Sequence, residues 1–134
     1  MARLSTGTGK DSRDLNLTQL KESFSFAFDG LRYAWRREPN FRVEVAIGVL
    51  AVLLGIGLGI DLIPILLAIG LVLGFELINT ALEVALDLYV PNPHPLAKAA
   101  KDVAAAAVLV ASLVALLVGL YLILPRILLL ILAR

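Results

Sequence analysis

Beyond residue 42 the chain alternates long apolar stretches with short polar breaks, and the breaks mark out the elements. Residues 45–60 carry no charge and stop at Asp61 and Pro64, a turn signal. Residues 62–90 form a second run closed by the breaker-rich PNPHP, and residues 103–124 form a third, charge-free run that ends at Pro125 and Arg126. About 20 apolar residues cross a bilayer at 1.5 Å per residue. The pattern therefore predicts three spans, at about 40–60, 62–90 and 100–125.

A different period precedes them. In LTQLKESFSFAFDGLRYAW, Leu20, Phe24, Ala27, Phe28, Leu31 and Trp35 recur at three- and four-residue spacings, opposed by Lys21, Glu22, Asp29, Arg32 and Arg36. This predicts an amphipathic helix over about 18–36, capped by Thr18 and lying at the membrane interface with Trp35 at headgroup depth. The expected fold class is an all-α integral membrane protein: three transmembrane helices preceded by a cytoplasmic surface helix. Residues 1–17 read as a flexible polar N-terminus and 18–134 as one membrane-embedded domain.

Composition agrees, because 60% hydrophobic and 17% charged residues in 134 leave too little polar surface to cover a soluble core. No Cys is present, which removes disulfide and thiolate chemistry. The first apolar run starts too far from the N-terminus for a cleaved secretory signal. Charge sets the orientation: eight Lys and Arg precede the first span, and Lys98 and Lys101 lie between the second and third. Arg126 and Arg134 oppose them and are outnumbered. The expected N-terminus is cytoplasmic and the C-terminus outside.

The second span breaks its own pattern. GFELINTALEVALDLYV (74–90) carries Glu76, Asn79, Glu83 and Asp87. On a helix Glu76, Glu83 and Asp87 fall within about 40° of one another, with Thr80 near the same line and Asn79 about 60° away. An Asp at mid-bilayer costs roughly 2.5–3.5 kcal/mol, more than several Leu or Ile residues return, so the stripe requires a protein-lined or water-reached face. Glu83 and Asp87 lie near the cytoplasmic loop, and Glu76 is about 10 Å deeper than Glu83.

Clustered carboxylates without basic partners repel, pick up protons or bind a divalent cation, and two carboxylates with water and phosphate oxygens suit Mg²⁺. Glu38, at the depth of Glu83, is placed to complete such a site from a neighbouring helix. Lys98, Lys101 and Asp102 in AKAAKD, beside His94 and Asn92, suggest phosphate neutralisation and phosphoryl transfer. His94 itself reads as a solvated loop residue. GTGK at 7–10 fails as a nucleotide loop, because Leu4 stands where the first Gly belongs, Asp11 follows Lys10 and no strand precedes it. The Gly55/Gly59 and Gly70/Gly74 pairs carry no functional weight. Three readings remain open: a lipid-directed phosphotransferase, an oligomeric ion or proton conductor, and a structural subunit with polar interhelical contacts.

ELINTALEVALD (76–87), AKAAKDVAAAAVLV (97–110), REPNFRVE (37–44) and FAFDGLRYAW (26–35) together resemble the small prokaryotic integral-membrane lipid kinases, the diacylglycerol kinase and undecaprenol kinase family. The resemblance spans roughly residues 18–125 in order, and its core, E-x-x-N-T-A-x-E-x-x-x-D followed by A-K-D, is specific.

It implies a homotrimer that uses ATP and Mg²⁺ to phosphorylate a membrane lipid hydroxyl, diacylglycerol first and undecaprenol as the alternative, with no nucleic-acid partner. It further implies Glu76 as catalytic base, Asn79 as positioning residue, and Glu38 and Glu83 as metal ligands that also bind the nucleotide. Asp87, Lys101, Asp102, Phe26 and Gly30 complete the implied nucleotide-facing set. Arg42, Glu44 and Trp35 match family positions without an assigned chemistry. Phe26 and Glu22 depart from the residues some members carry, which touches the nucleotide contacts.

Overall fold

The computed structural model describes residues 12–132, so the GTGK run, Arg3, Lys10 and Arg134 lie outside the described residues. The described chain is all-helical: α1 (Ser12–Arg37), α2 (Pro39–Gly57), α3 (Leu62–Tyr89) and α4 (Pro95–Leu132). The last three are each long and apolar enough to cross a membrane. The chain forms two units, Met1–Tyr33 and Ala34–Arg134.

In the first unit, α1 starts six residues before the expected cap, so Thr18 lies inside the helix and does not begin it. From residue 12 to residue 29 no Gly or Pro interrupts the backbone. Phe24, Phe26 and Phe28 are all exposed along this helix.

The second unit opens on a break dictated by proline. Pro clashes with a helical conformation of the residue before it, and Glu38 accordingly takes extended angles (φ −102°, ψ 109°) before Pro39 starts α2. The Glu38 amide still donates to Ala34 O at 2.8 Å, closing α1.

α2 stops earlier than expected, at Gly57, in a Schellman-type turn: Gly59 N–H donates to Ile56 O (3.2 Å) and Ile60 N–H to Gly55 O (2.9 Å). Gly59 supplies the positive φ of 62° this turn needs. Asp61 then caps α3, its carboxylate accepting from the Ile63 amide at 3.0 Å. Gly55 permits a close approach at the same corner, because a Cβ there would lie 2.7 Å from Leu62 Cδ2 and 3.1 Å from Ile65 Cδ1.

α4 is longer than expected at both ends. Pro95 begins it, since a first-turn residue needs no N–H partner. His94 completes the start, its Nδ1 accepting from the Leu96 amide at 3.2 Å and its carbonyl from the Lys98 amide at 3.0 Å. His94 is thus the solvated loop residue expected, and it also caps α4. At the other end the helix runs through Pro125 to Leu132. A proline inside an apolar helix removes one hydrogen bond without ending the span.

α3 packs mainly against α4, then α2, and α2 touches α4 least. Its buried positions are Ile65, Ala68, Val72, Glu76 and Thr80. These recur every three or four residues, so one stripe runs from apolar to polar along the same inward face. Glu76 is only 3% exposed and Thr80 4%.

Candidate active site

The polar end of that stripe gathers side chains from three elements of the second unit. Glu76 is buried among them, and Thr80 Oγ1 donates to the Glu76 carbonyl at 2.9 Å, so its hydroxyl is spent on the backbone and its methyl packs. One turn of α3 also holds a polar pair, Asn79 Nδ2 donating to Glu83 Oε1 at 3.1 Å. Presenting nitrogen to the carboxylate fixes the amide oxygen on the other side. Asn79 Oδ1 is buried there without a hydrogen-bond partner, as is Glu44 Oε2. Buried acceptors left unpaired are costly and mark where a ligand's donor group fits.

Glu38 reaches the group through the proline break. Its side chain does not cap α2 and instead pairs with Arg37, Nε to Oε1 at 3.2 Å. Glu76 feels the charges of both Glu38 and Glu83, and Glu44 feels that of Glu76. Among the described residues, no three of His, Asp or Glu converge tightly enough to hold a metal ion. Two carboxylates are nevertheless a sufficient protein contribution for Mg²⁺, which takes its remaining ligands from phosphate oxygens and water. The donor chemistry of Glu38 and Glu83 therefore fits that ion.

Nearer the α3–α4 link Asp87, Lys101 and Asp102 fall into two ion pairs, the second completed by Lys98. Lys101 Nζ meets Asp87 Oδ1 at 2.5 Å, and Lys98 Nζ meets Asp102 Oδ2 at 2.5 Å. Asp87 also faces the Arg37 guanidinium, Nη2 to Oδ2 at 3.6 Å. A cavity of about 670 Å³ opens beside these pairs, lined by Asp87, Asn92, His94, Lys98 and Lys101 among others. A second cavity, about 480 Å³ and almost wholly apolar, runs between α2, α3 and α4 with Glu44 among its lining residues.

The structure thus brings Glu38, Glu76, Asn79, Glu83, Asp87 and Lys101 to one end of the second unit, and places Asp102 one helical step beyond Lys101. Phe26 and Gly30 belong to the first unit, one turn apart on α1; Phe26 is exposed and a Cβ at Gly30 would meet nothing within 4 Å. Sequence reasoning missed Arg37 as a bridge. It left Glu44 without a role, although an acid six residues after Glu38 at the head of an apolar run was a visible signal. The i,i+4 spacing of Lys98 and Asp102 was equally readable.

Three apolar helices enclosing acids at one end, with lysines and a polar cavity beside them, define a membrane-embedded phosphate-handling protein. The family described as prokaryotic diacylglycerol kinase matches residues 25–123. The chain is 37% identical over 121 residues to an undecaprenol kinase of Bacillus subtilis, covering 88% of this chain and 98% of that protein. It is 42% identical over 110 residues to a diacylglycerol kinase of Synechocystis, covering 79% of this chain and 63% of that protein. It is 35% identical over 97 residues to the diacylglycerol kinase of Escherichia coli K12, covering 70% and 80%. The chain belongs to the prokaryotic diacylglycerol kinase family. It is a bacterial membrane enzyme of the lipid kinase class and uses ATP, and the conductor and structural-subunit readings end here.

Proposed function

We propose that the protein transfers the terminal phosphoryl group of ATP to the primary hydroxyl of diacylglycerol, giving phosphatidic acid and ADP. The observation that carries this reading is Glu76, buried on the inward stripe of α3, with Asn79 Oδ1 an unpaired acceptor one turn away. Glu76 accepts the hydroxyl proton as the lipid oxygen attacks the terminal phosphorus, and the bond to ADP breaks. Asn79, held by Glu83, is the positioning residue one turn from Glu76. Lys101 offsets charge on the phosphate oxygens after exchanging Asp87 for them.

Glu38 and Glu83 would hold Mg²⁺, which supplies charge neutralisation and alignment of the polyphosphate. Asp87, Lys101 and Asp102 form the nucleotide-facing end. In this reading α1 is an amphipathic helix on the cytoplasmic membrane surface, the N-terminus is cytoplasmic and the C-terminus outside, consistent with ten basic residues on that side. Residues 18–134 act as one membrane-embedded domain behind a polar N-terminal lead.

The working form is a homotrimer. Its support is the surface of a single chain, because the most apolar window of α4 has none of its residues buried and large apolar side chains are exposed along every span. Three short spans make a thin wall, and further copies supply the rest of an enclosure.

Undecaprenol is the second reading, favoured by the match covering 98% of the Bacillus protein. ATP-dependent phosphorylation of both lipids by the purified protein in one mixed-micelle system separates the two. Faster turnover of diacylglycerol is expected; a preference for undecaprenol reverses the order, and transfer to neither lipid overturns the proposal.

A further inference from the structure

Arg37, the last residue of α1, addresses two carboxylates from different atoms of one guanidinium. Its Nε lies 3.2 Å from Glu38 Oε1 at the head of α2, and its Nη2 lies 3.6 Å from Asp87 Oδ2 in the last turn of α3. Asp87 in turn pairs with Lys101 on α4. The result is a ladder of alternating charge, Glu38, Arg37, Asp87, Lys101, that joins the metal-binding carboxylate to the phosphate-binding lysine. The Arg37 side chain is 41% and that of Asp87 53% exposed, so the bridge is open to competing ions and is weak as a structural clamp.

We propose that Arg37 is an exchanging cation: it occupies Glu38 and Asp87 in the ligand-free enzyme and moves onto the polyphosphate when a divalent ion takes Glu38. The driving force is electrostatic and rests on the proposed Mg²⁺ role of Glu38. A divalent cation on that carboxylate stands within a few ångströms of the guanidinium, and like charges so close repel. The arriving polyphosphate carries acceptor oxygens that match the planar fork of an arginine. Metal and nucleotide then bind by exchange, the metal displacing Arg37 and the phosphates receiving it.

A structural role and an exchanging role differ in sign. Replacing Arg37 by Gln removes the competitor for Glu38 and removes a ligand for phosphate. Mn²⁺ binding without nucleotide, read by electron paramagnetic resonance, should tighten by about threefold or more, while ATP binding without metal, read by equilibrium titration, should weaken by about tenfold. Arg37→Lys, which keeps the charge, should hold Mn²⁺ affinity within about threefold of the parent. A Gln variant in which both affinities fall, or in which either stays unchanged, overturns the proposal, as does a Lys variant whose Mn²⁺ affinity shifts as far as the Gln variant's. Helix content by circular dichroism confirms that each variant is folded. If the parent phosphorylates lipid while these constants fail to move, the exchange alone is wrong; if the parent binds no Mn²⁺, the metal reading of Glu38 falls with it.

Discussion

The two halves of α3 share one inward stripe and differ in what they put on it. From Ile65 through Ala68 to Val72 the stripe is apolar and closes against neighbouring helices, tightened by the Gly55 corner. From Glu76 through Thr80 to Glu83 and Asp87 the same register carries acids, an orphaned amide oxygen and ion pairs. Backbone geometry is equal in the two halves, so the contrast is chemical. The apolar half is satisfied within one chain, whereas the polar half keeps a buried amide oxygen, Asn79 Oδ1, without a partner in the chain. One half closes the fold, and the other carries the candidate site.

The largest effect should come from the deepest acid. Glu76→Gln keeps the shape and removes the proton acceptor, so lipid phosphorylation should fall by about 10² to 10⁴-fold, measured in mixed micelles, with helix content unchanged. Full activity in this variant would end the base assignment and with it the contrast between the halves.

Next comes Glu83→Gln, which removes a ligand charge and disturbs the amide of Asn79. Mg²⁺-dependent ATP binding should weaken by roughly 10- to 100-fold. An unchanged metal dependence would move the ion elsewhere.

The apolar half should respond in the opposite way. At Gly55 even a Cβ would crowd Leu62 and Ile65, so Gly55→Val should cost about 1–3 kcal/mol of stability in a denaturation titration while leaving the affinity of the folded fraction for ATP unchanged. Loss of nucleotide affinity here would blur the division between the halves.

The smallest effect belongs to Lys98 and Asp102, whose side chains are 78% and 62% exposed. A double-mutant cycle to Ala should find a stability coupling of only about 0.3–0.5 kcal/mol. A coupling several times larger would make this pair part of the structural frame.

The helices were legible because hydrophobic period and breakers act locally. The 62–90 run, for example, matches α3 almost residue for residue. The errors fell at ends, where tertiary and capping chemistry decide. Thr18 looked like a cap, yet the helix already runs through it, and Pro95 and Pro125 looked like stops although one starts α4 and the other lies inside it.

At the site, the stripe of Glu76, Glu83 and Asp87 followed from angle alone. The partition of Lys98, Lys101, Asp87 and Asp102 into two pairs did not, because it depends on how α3 meets α4. Arg37 was invisible for the same reason. Its significance comes from Asp87, fifty positions away, and no periodicity in the chain links the two.

The central claim is a division of labour along one helix face, with proton transfer deep and nucleotide binding shallow. Its most direct test measures Mg·ATP affinity and the single-turnover rate of lipid phosphorylation for Glu76→Gln and Glu83→Gln side by side. The account predicts that Glu76→Gln loses the transfer rate with ATP affinity held within about threefold, while Glu83→Gln loses affinity as well. If Glu76→Gln instead loses affinity as far as Glu83→Gln does, or retains the transfer rate, the division of labour is contradicted.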